Sequence, residues 1–198
     1  MSRKVRRVPV SLNPCRIDHL PEAEIRLILR GADDLLMRGG RTLLAKLLKG
    51  SRDRKILERG LNASPAYGAY RELTLEEITA RIDWLIVNDY LAIEYDYRLP
   101  LLVYTRRGWA IERETYTDEL MDRIDALLAE TMAPDAGWLK DTHHEVRNLL
   151  LERIGASHDT KYVRLLEAWA SISGRQSARK IHEVVNVLRG VVTDIKKQ

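Results

Sequence analysis

GRTLLAKLLKGSRDRKILERG (40–60), LTLEEITARIDWLIVNDYLAIEY (73–95) and DYRLPLLVYTRRGW (96–109) decide the fold. In the first, Leu43, Leu44, Leu47 and Leu48 recur at spacings that put them on one side of a short basic helix, and Gly50-Ser51 ends it. A second short helix over about Asp53 to Arg59 follows. In the next stretch Thr74 and Glu77 form a T-x-x-E capping box, which satisfies two unpaired N–H groups at a helix start. Leu75, Ile78, Ile82, Leu85 and Ile86 continue one apolar face as far as Asn88. Leu91, Ile93 and Tyr95 then alternate with Ala92 and Glu94, as a strand requires. Asp96 to Pro100 reads as the turn, Leu101 to Thr105 as the returning strand, and Gly108 as the end of the unit. Helix, connector, amphipathic helix and hairpin, in that order, predict a winged helix.

Working outward, residues 1–21 read as a basic, extended arm, because Pro9, Pro14 and Pro21 oppose a long helix. Such an arm either lies along a nucleic acid or is a disordered terminus. Ile25, Ile28 and Leu29 mark a helix from Glu22, with Gly31 as its stop. Asp33-Asp34 precede a short helical turn at Leu35 to Met37. Gly60 to Leu73 is loop for most of its length. The winged helix is therefore expected over 22–115.

Beyond it only helical periodicity remains, in four segments: Asp118–Met132, His143–Ile154, Thr160–Ile172 and Ser177–Ile195. Short breaks between them predict two antiparallel hairpins packed on each other and on the winged helix. Their period of about 40 residues is that of HEAT-type repeats. The fold class is thus mainly α: a winged helix, then a four-helix, HEAT-like tail over 116–198.

Composition narrows the function. No apolar run approaches the roughly 18–20 residues of a membrane span, and no signal-peptide core follows Arg3, Lys4, Arg6 and Arg7. The single cysteine, Cys15, excludes an internal disulfide and a zinc site with two cysteines. A cytoplasmic, nucleoid-associated location is expected, with no membrane partner. There is no Gly-rich phosphate loop, and Ser51 and Ser64 lack a nearby His. The adjacent His143 and His144 point about 100° apart on a helix and do not share an ion readily; a polar cluster at a helix start accounts for them. Asp33-Asp34 and Glu76-Glu77 sit at helix starts, where acids favour the dipole. Neither an enzyme nor a bound cofactor or metal is expected.

The net charge of +4 names no partner by itself. Its distribution says more: Arg38, Arg41, Lys46, Lys49, Arg52, Arg54 and Lys55 stand against the single acid Asp53. This is the footprint of a phosphate-binding surface or of a solvated basic face. The long helix offers Glu76, Glu77 and Asp83 on its outer side, and acids repel phosphates, so insertion of that helix into a major groove is unfavourable. The candidate DNA-binding residues are Arg41, Lys49, Gly50, Ser51, Arg52, Arg54, Lys55, Tyr97, Arg98, Arg106 and Arg107. Free backbone N–H groups at Gly50-Ser51 would cradle a phosphate. Tyr97, at the wing tip, can stack on a terminal base pair or pack against Leu99 or the domain body.

GRTLLAKLLKGS (40–51), SPAYG (64–68), LEEITARIDWLIVNDYL (75–91) and LPLLVYTRRG (99–108) together resemble the RQC domain, the winged helix of RecQ-type DNA helicases. The resemblance covers roughly residues 38–110. It implies binding of duplex, branched or forked DNA, with phosphate contacts around Lys49, Ser51 and Lys55 and Tyr97 at the tip that prises apart a terminal pair. It also implies a role in DNA repair, replication or recombination. The helicase motor and the cysteine-rich zinc module are missing from this sequence, so ATP-driven strand separation does not carry over. The chain is similar to stand-alone bacterial RQC-type DNA-binding proteins with a helical tail. A protein-interaction adaptor, whose tail binds a helicase or other repair protein in trans, and a winged-helix transcription regulator are the alternatives.

Overall fold

The structure, a computed structural model, describes residues 7–130 and 134–190. Arg3, Lys4 and Arg6, and the expected helix positions at Met132 and beyond Gly190, lie outside the described residues. The chain forms two compact units, 1–112 and 113–198, one a winged helix and the other all helical.

In the first unit the helices are α1 (Glu22–Asp33), α2 (Arg41–Lys49), α3 (Arg54–Glu58) and α4 (Leu75–Val87). Strands β1 (Leu91–Asp96) and β2 (Leu99–Tyr104) pair antiparallel, from Leu91 opposite Tyr104 to Asp96 opposite Leu99. The expected apolar faces form one core: Ile28, Leu29, Leu44, Leu47, Leu48, Ile78, Ile82 and Leu85 are all fully buried. The capping box is present, with the Thr74 hydroxyl accepting from Glu77 N–H and the Glu77 carboxylate accepting from Thr74 N–H.

Four local expectations are corrected. Gly31 does not end α1. It lies inside the helix, where a Cβ would stand 3.1 Å from that of Ala66 and 3.3 Å from Leu44 and Leu48, so its smallness lets α1 pack closely. The wing turn is only Tyr97-Arg98, and Pro100 sits within β2 opposite Tyr95. Proline is accepted there because the other side of β2 bonds at Leu102, whose N–H and C=O pair with Gly39 C=O and Met37 N–H. Gly108 does not close the unit. It lies in the first turn of α5 (Arg106–Glu130), where a Cβ would fall 1.9 Å from Tyr90 O. The helix expected from Asp118 therefore begins twelve residues earlier, capped by Thr105, whose hydroxyl accepts from Gly108 N–H.

The arm is the fourth correction. From Arg7 to Leu20 it is anchored on the winged helix rather than disordered. Arg7 lies over the Tyr95 ring, Tyr95 Oη donates to Val8 O, and Val8 N–H donates to Arg98 O at the wing turn. Further along, Arg41 donates to Ser11 O, Asn13 N–H donates to Asp83, His19 meets the Trp84 ring edge-on, and Leu20 joins the core.

In the second unit α5 continues to Glu130 and is followed by α6 (His144–Ser157), α7 (Val163–Ile172) and α8 (Arg175–Leu188). Helix α8 packs on α6 and α7. The buried faces carry Val146, Leu150, Ile154, Leu166, Trp169, Ile181 and Val185. His143 accepts from Glu145 N–H through Nδ1, which makes it the cap of α6. Among the described residues no helix is long and apolar enough to cross a membrane.

Candidate nucleic-acid interface

Leucines pull α2 into the core and leave its lysines at the boundary, and Gly50 ends it with a left-handed φ of 74°. That geometry changes the expected phosphate cradle. Gly50 N–H donates to Leu47 O and Ser51 N–H to Lys46 O, so both satisfy the end of α2 and neither is free for a ligand. The Ser51 hydroxyl accepts from Asp53 N–H. The 64–68 loop supports this junction: Tyr67 Oη donates to Gly50 O and Ser51 O, and Gly68 N–H donates to Leu47 O. A Cβ on Gly50 would approach Gly68 Cα to 2.9 Å.

The lysines beside the junction are largely spent within the fold. Lys49 Nζ donates to Arg71 O at 2.5 Å and Leu73 O at 2.7 Å. Lys46 holds Asp53 at 2.6 Å. The hydrogen bond from Lys46, then that from Lys55 N–H, hold the Asp53 carboxyl below its ordinary value. Arg54 pairs with Glu58 one turn along α3. Arg52 and Lys55 are exposed and form no ion pair among the described residues, Lys55 adding only a lesser attraction to Asp53.

Arg41 is committed elsewhere. Its Nη1 lies 2.6 and 2.7 Å from the two oxygens of Asp83 and 2.8 Å from Ser11 O. Asp83 is 1% exposed, not on the outer side of α4 as expected, because the arm covers that face. Glu76 and Glu77 remain exposed on the first turn. Arg81 is bound to Glu24, which also accepts from Tyr70 Oη. The second half of α4 therefore presents no open reading face.

The wing divides the remaining candidates. Tyr97 stands 72% exposed at the tip with φ 52°, beside exposed Arg98, so it does not pack on the domain body. Arg106 and Arg107 lie at the other end of the hairpin, beyond Tyr104, roughly 17 Å away along a six-residue strand. Arg107 there stacks 4.0 Å over the Tyr90 ring and donates to Asn88 O.

Two further cations, Arg59 and Arg71, were missed by the sequence reading, and Arg38 was named in the basic cluster but not among the candidate contacts. Arg59 follows Lys55 by four residues, and its Nη1 donates to Arg38 O. Arg71 lies over Gly68, its Nε 2.6 Å from where a Cβ would be. Arg38, Arg59 and Lys55 share a groove of about 400 Å³ with Arg41, Lys46 and the apolar residues of the arm and β2. The helical spacing of Lys55 and Arg59 was the readable signal for that one.

Comparison with known proteins agrees with this geometry. A family model described as the RQC domain matches residues 22–122, from the start of α1 into α5, about half of the chain and wider than the motifs that first pointed to it. The chain is 29% identical over 93 residues to the ATP-dependent DNA helicase RecQ of Bacillus subtilis (strain 168), a stretch that is 47% of this chain and 16% of that protein. No solved structure gives a significant match. A winged helix with this hairpin, this supported junction and a family match across both makes the chain a member of the RQC domain family.

Proposed function

We propose that the chain binds DNA without catalysing a reaction on it, recognising duplex ends, forks or junctions by phosphate contacts together with the wing. The observation that carries this reading is Tyr97: a large aromatic, exposed, held at a left-handed φ on a hairpin tip where glycine is the easy choice. Strain kept at an exposed aromatic points to a use for its ring, and a ring face suits a terminal base pair. The cations of the α2–α3 side supply the backbone contacts. A role in DNA repair, replication or recombination, and association with the nucleoid, belong to the same reading. A sequence-specific regulator needs an open α4, and half of that helix lies under the arm.

A binding panel of fork, bubble, blunt duplex and single strand at two salt concentrations tests it. Affinity for forks and ends should exceed that for bubble-free internal duplex, and Tyr97→Ala should remove the difference. Equal affinity of wild type for every form would reject recognition of DNA structure.

A cleft in the tail favours a second reading. Helices α6 and α8 leave about 390 Å³ between them, lined by Leu151, Val184 and Val187 with Glu152, Lys180 and Glu183 at its edge. On this reading the tail is a HEAT-like pair of hairpins that holds a helicase or other repair protein in trans. Val187→Asp in the full chain should then abolish co-purification with that partner and leave DNA affinity unchanged.

A further inference from the structure

The 400 Å³ groove beside the wing has a composition that phosphate contacts alone do not require. Its rim holds Arg38, Arg41, Lys46, Lys55 and Arg59, and no acid lines it. Asp83 and Asp53 answer Arg41 and Lys46. Arg38, Lys55 and Arg59 are exposed and form no ion pair among the described residues; Asp34 shares only a neighbouring hollow with Arg38 and Arg59, and Lys55 adds a lesser attraction to Asp53. Arg59 is held in place by its bond to Arg38 O, so part of the ordering cost is met before any ligand arrives.

Beneath the cations the groove is apolar. The floor and walls come from Val8, Val10, Leu43, Ile93, Leu99 and Leu102. Its depth depends on Gly39-Gly40: Leu102 N–H donates to Gly39 O, and a Cβ on Gly40 would lie 2.7 Å from Pro100 O. The arm forms the other wall, pinned by Val8 to Arg98 O and by Arg41 to Ser11 O. A duplex offers phosphates to such a rim and has nothing to place on the floor. An unpaired nucleotide has both an anionic phosphate and an apolar base face, and the space is within the range of small-ligand sites, about 300–1,000 Å³. The groove also starts at the wing, since Leu99 lines it and adjoins Arg98 of the turn.

We infer that this groove seats one unpaired nucleotide and its adjoining phosphates, the first to leave the duplex at a tailed or forked end. The inference rests on the DNA-binding reading above. Its base lies against Leu43, Ile93 and Leu99, Arg38 and Arg59 take its phosphates, and Lys55 holds the last phosphate of the duplex.

The test uses the full chain with a blunt duplex and the same duplex carrying a single-stranded tail, with 2-aminopurine either at the first unpaired position or inside the duplex. Wild type should bind the tailed DNA about tenfold more tightly. Its salt slope on that DNA should be steeper by roughly 1.4, from the two added single-strand phosphate contacts of Arg38 and Arg59 at about 0.7 each. The probe should brighten at the unpaired position as the base leaves its neighbours, and stay unchanged inside the duplex. Arg38→Gln with Arg59→Gln, both exposed positions, should remove the tail preference and hold blunt-duplex affinity within about twofold. Equal wild-type affinity for the two DNAs, a silent probe, or equal loss on both DNAs in the variant overturns the groove and leaves DNA binding standing. No binding to either DNA overturns both. The probe signal is read on wild type, so it decides even if the variant fails to fold.

Discussion

Tyr97 holds φ at 52° in a two-residue turn, a region that L-residues enter at a cost of roughly 1–2 kcal/mol. Glycine removes that cost, so Tyr97→Gly should raise stability by about 1 kcal/mol in urea titration and at the same time weaken binding to duplex ends. A variant that gains stability and keeps full affinity for ends would deny the ring a role. Arg41 gives the opposite case. It was expected at the DNA, but its guanidinium is what keeps a buried carboxylate, Asp83, in partnership. Arg41→Met should cost about 3 kcal/mol, because it strands that charge, and should also free the arm to proteases. Adding Asp83→Asn should recover most of the loss, since an amide oxygen still accepts from Asn13 N–H. If the double variant is no better than the single one, the buried charge is not the cause.

At the scale of elements, two helix starts depend on carboxylates. Asp53 caps α3 and is held below its ordinary 3.8 by Lys46 and by Lys55 N–H. Glu77 closes the capping box of α4 and is held below its ordinary 4.5 by Thr74 N–H and then by the Thr74 hydroxyl. Both fold with lowered values, so as the pH falls the unfolded chain takes up protons first. Their contribution is complete above about pH 4.5 and is lost as the pH drops through the folded values. Urea midpoints should hold between pH 7 and about 4.5 and fall at pH 3, and Asp53→Asn with Glu77→Gln should flatten that fall. A double variant with the wild-type profile would reject the linkage.

The same elements show how much the sequence could tell. Helices α2 and α4 and strand β1 were readable to within two residues, because each is marked by local chemistry: a leucine face, a capping box, an alternation. What escaped depended on contacts distant in sequence. Gly31 and Gly108 look like punctuation, yet each is a small residue where another segment comes close, Ala66 in one case and Tyr90 in the other. Asp83 looks like a solvent residue of an amphipathic helix until the arm, some seventy residues earlier, is laid over it. At the candidate site the basic cluster was visible but its division was not. Only folding shows that Arg41, Lys46 and Lys49 serve the fold while Arg38, Arg59 and Arg71 join the surface.

At the scale of the whole molecule the net charge of +4 is too small to draw DNA by a general field. Salt dependence should therefore follow the few cations that the fold leaves unpaired. In the second unit Arg153 holds Glu114 and Asp118, Lys161 holds Asp125 and Asp159, and Arg189 holds Glu167. In the first unit Arg38, Arg52, Lys55, Arg59 and Arg71 are exposed and form no ion pair among the described residues. If Arg52, Lys55 and Arg71 meet phosphates of a blunt duplex, log K should fall against log salt with a slope of about −3. Arg52→Gln with Lys55→Gln should reduce that slope by about two and weaken all duplex sequences alike. Arg189→Gln, which breaks an ion pair in the tail, should leave the slope where it is. A slope that responds to Arg189 and not to Arg52 and Lys55 would move the DNA contact from the winged helix to the tail.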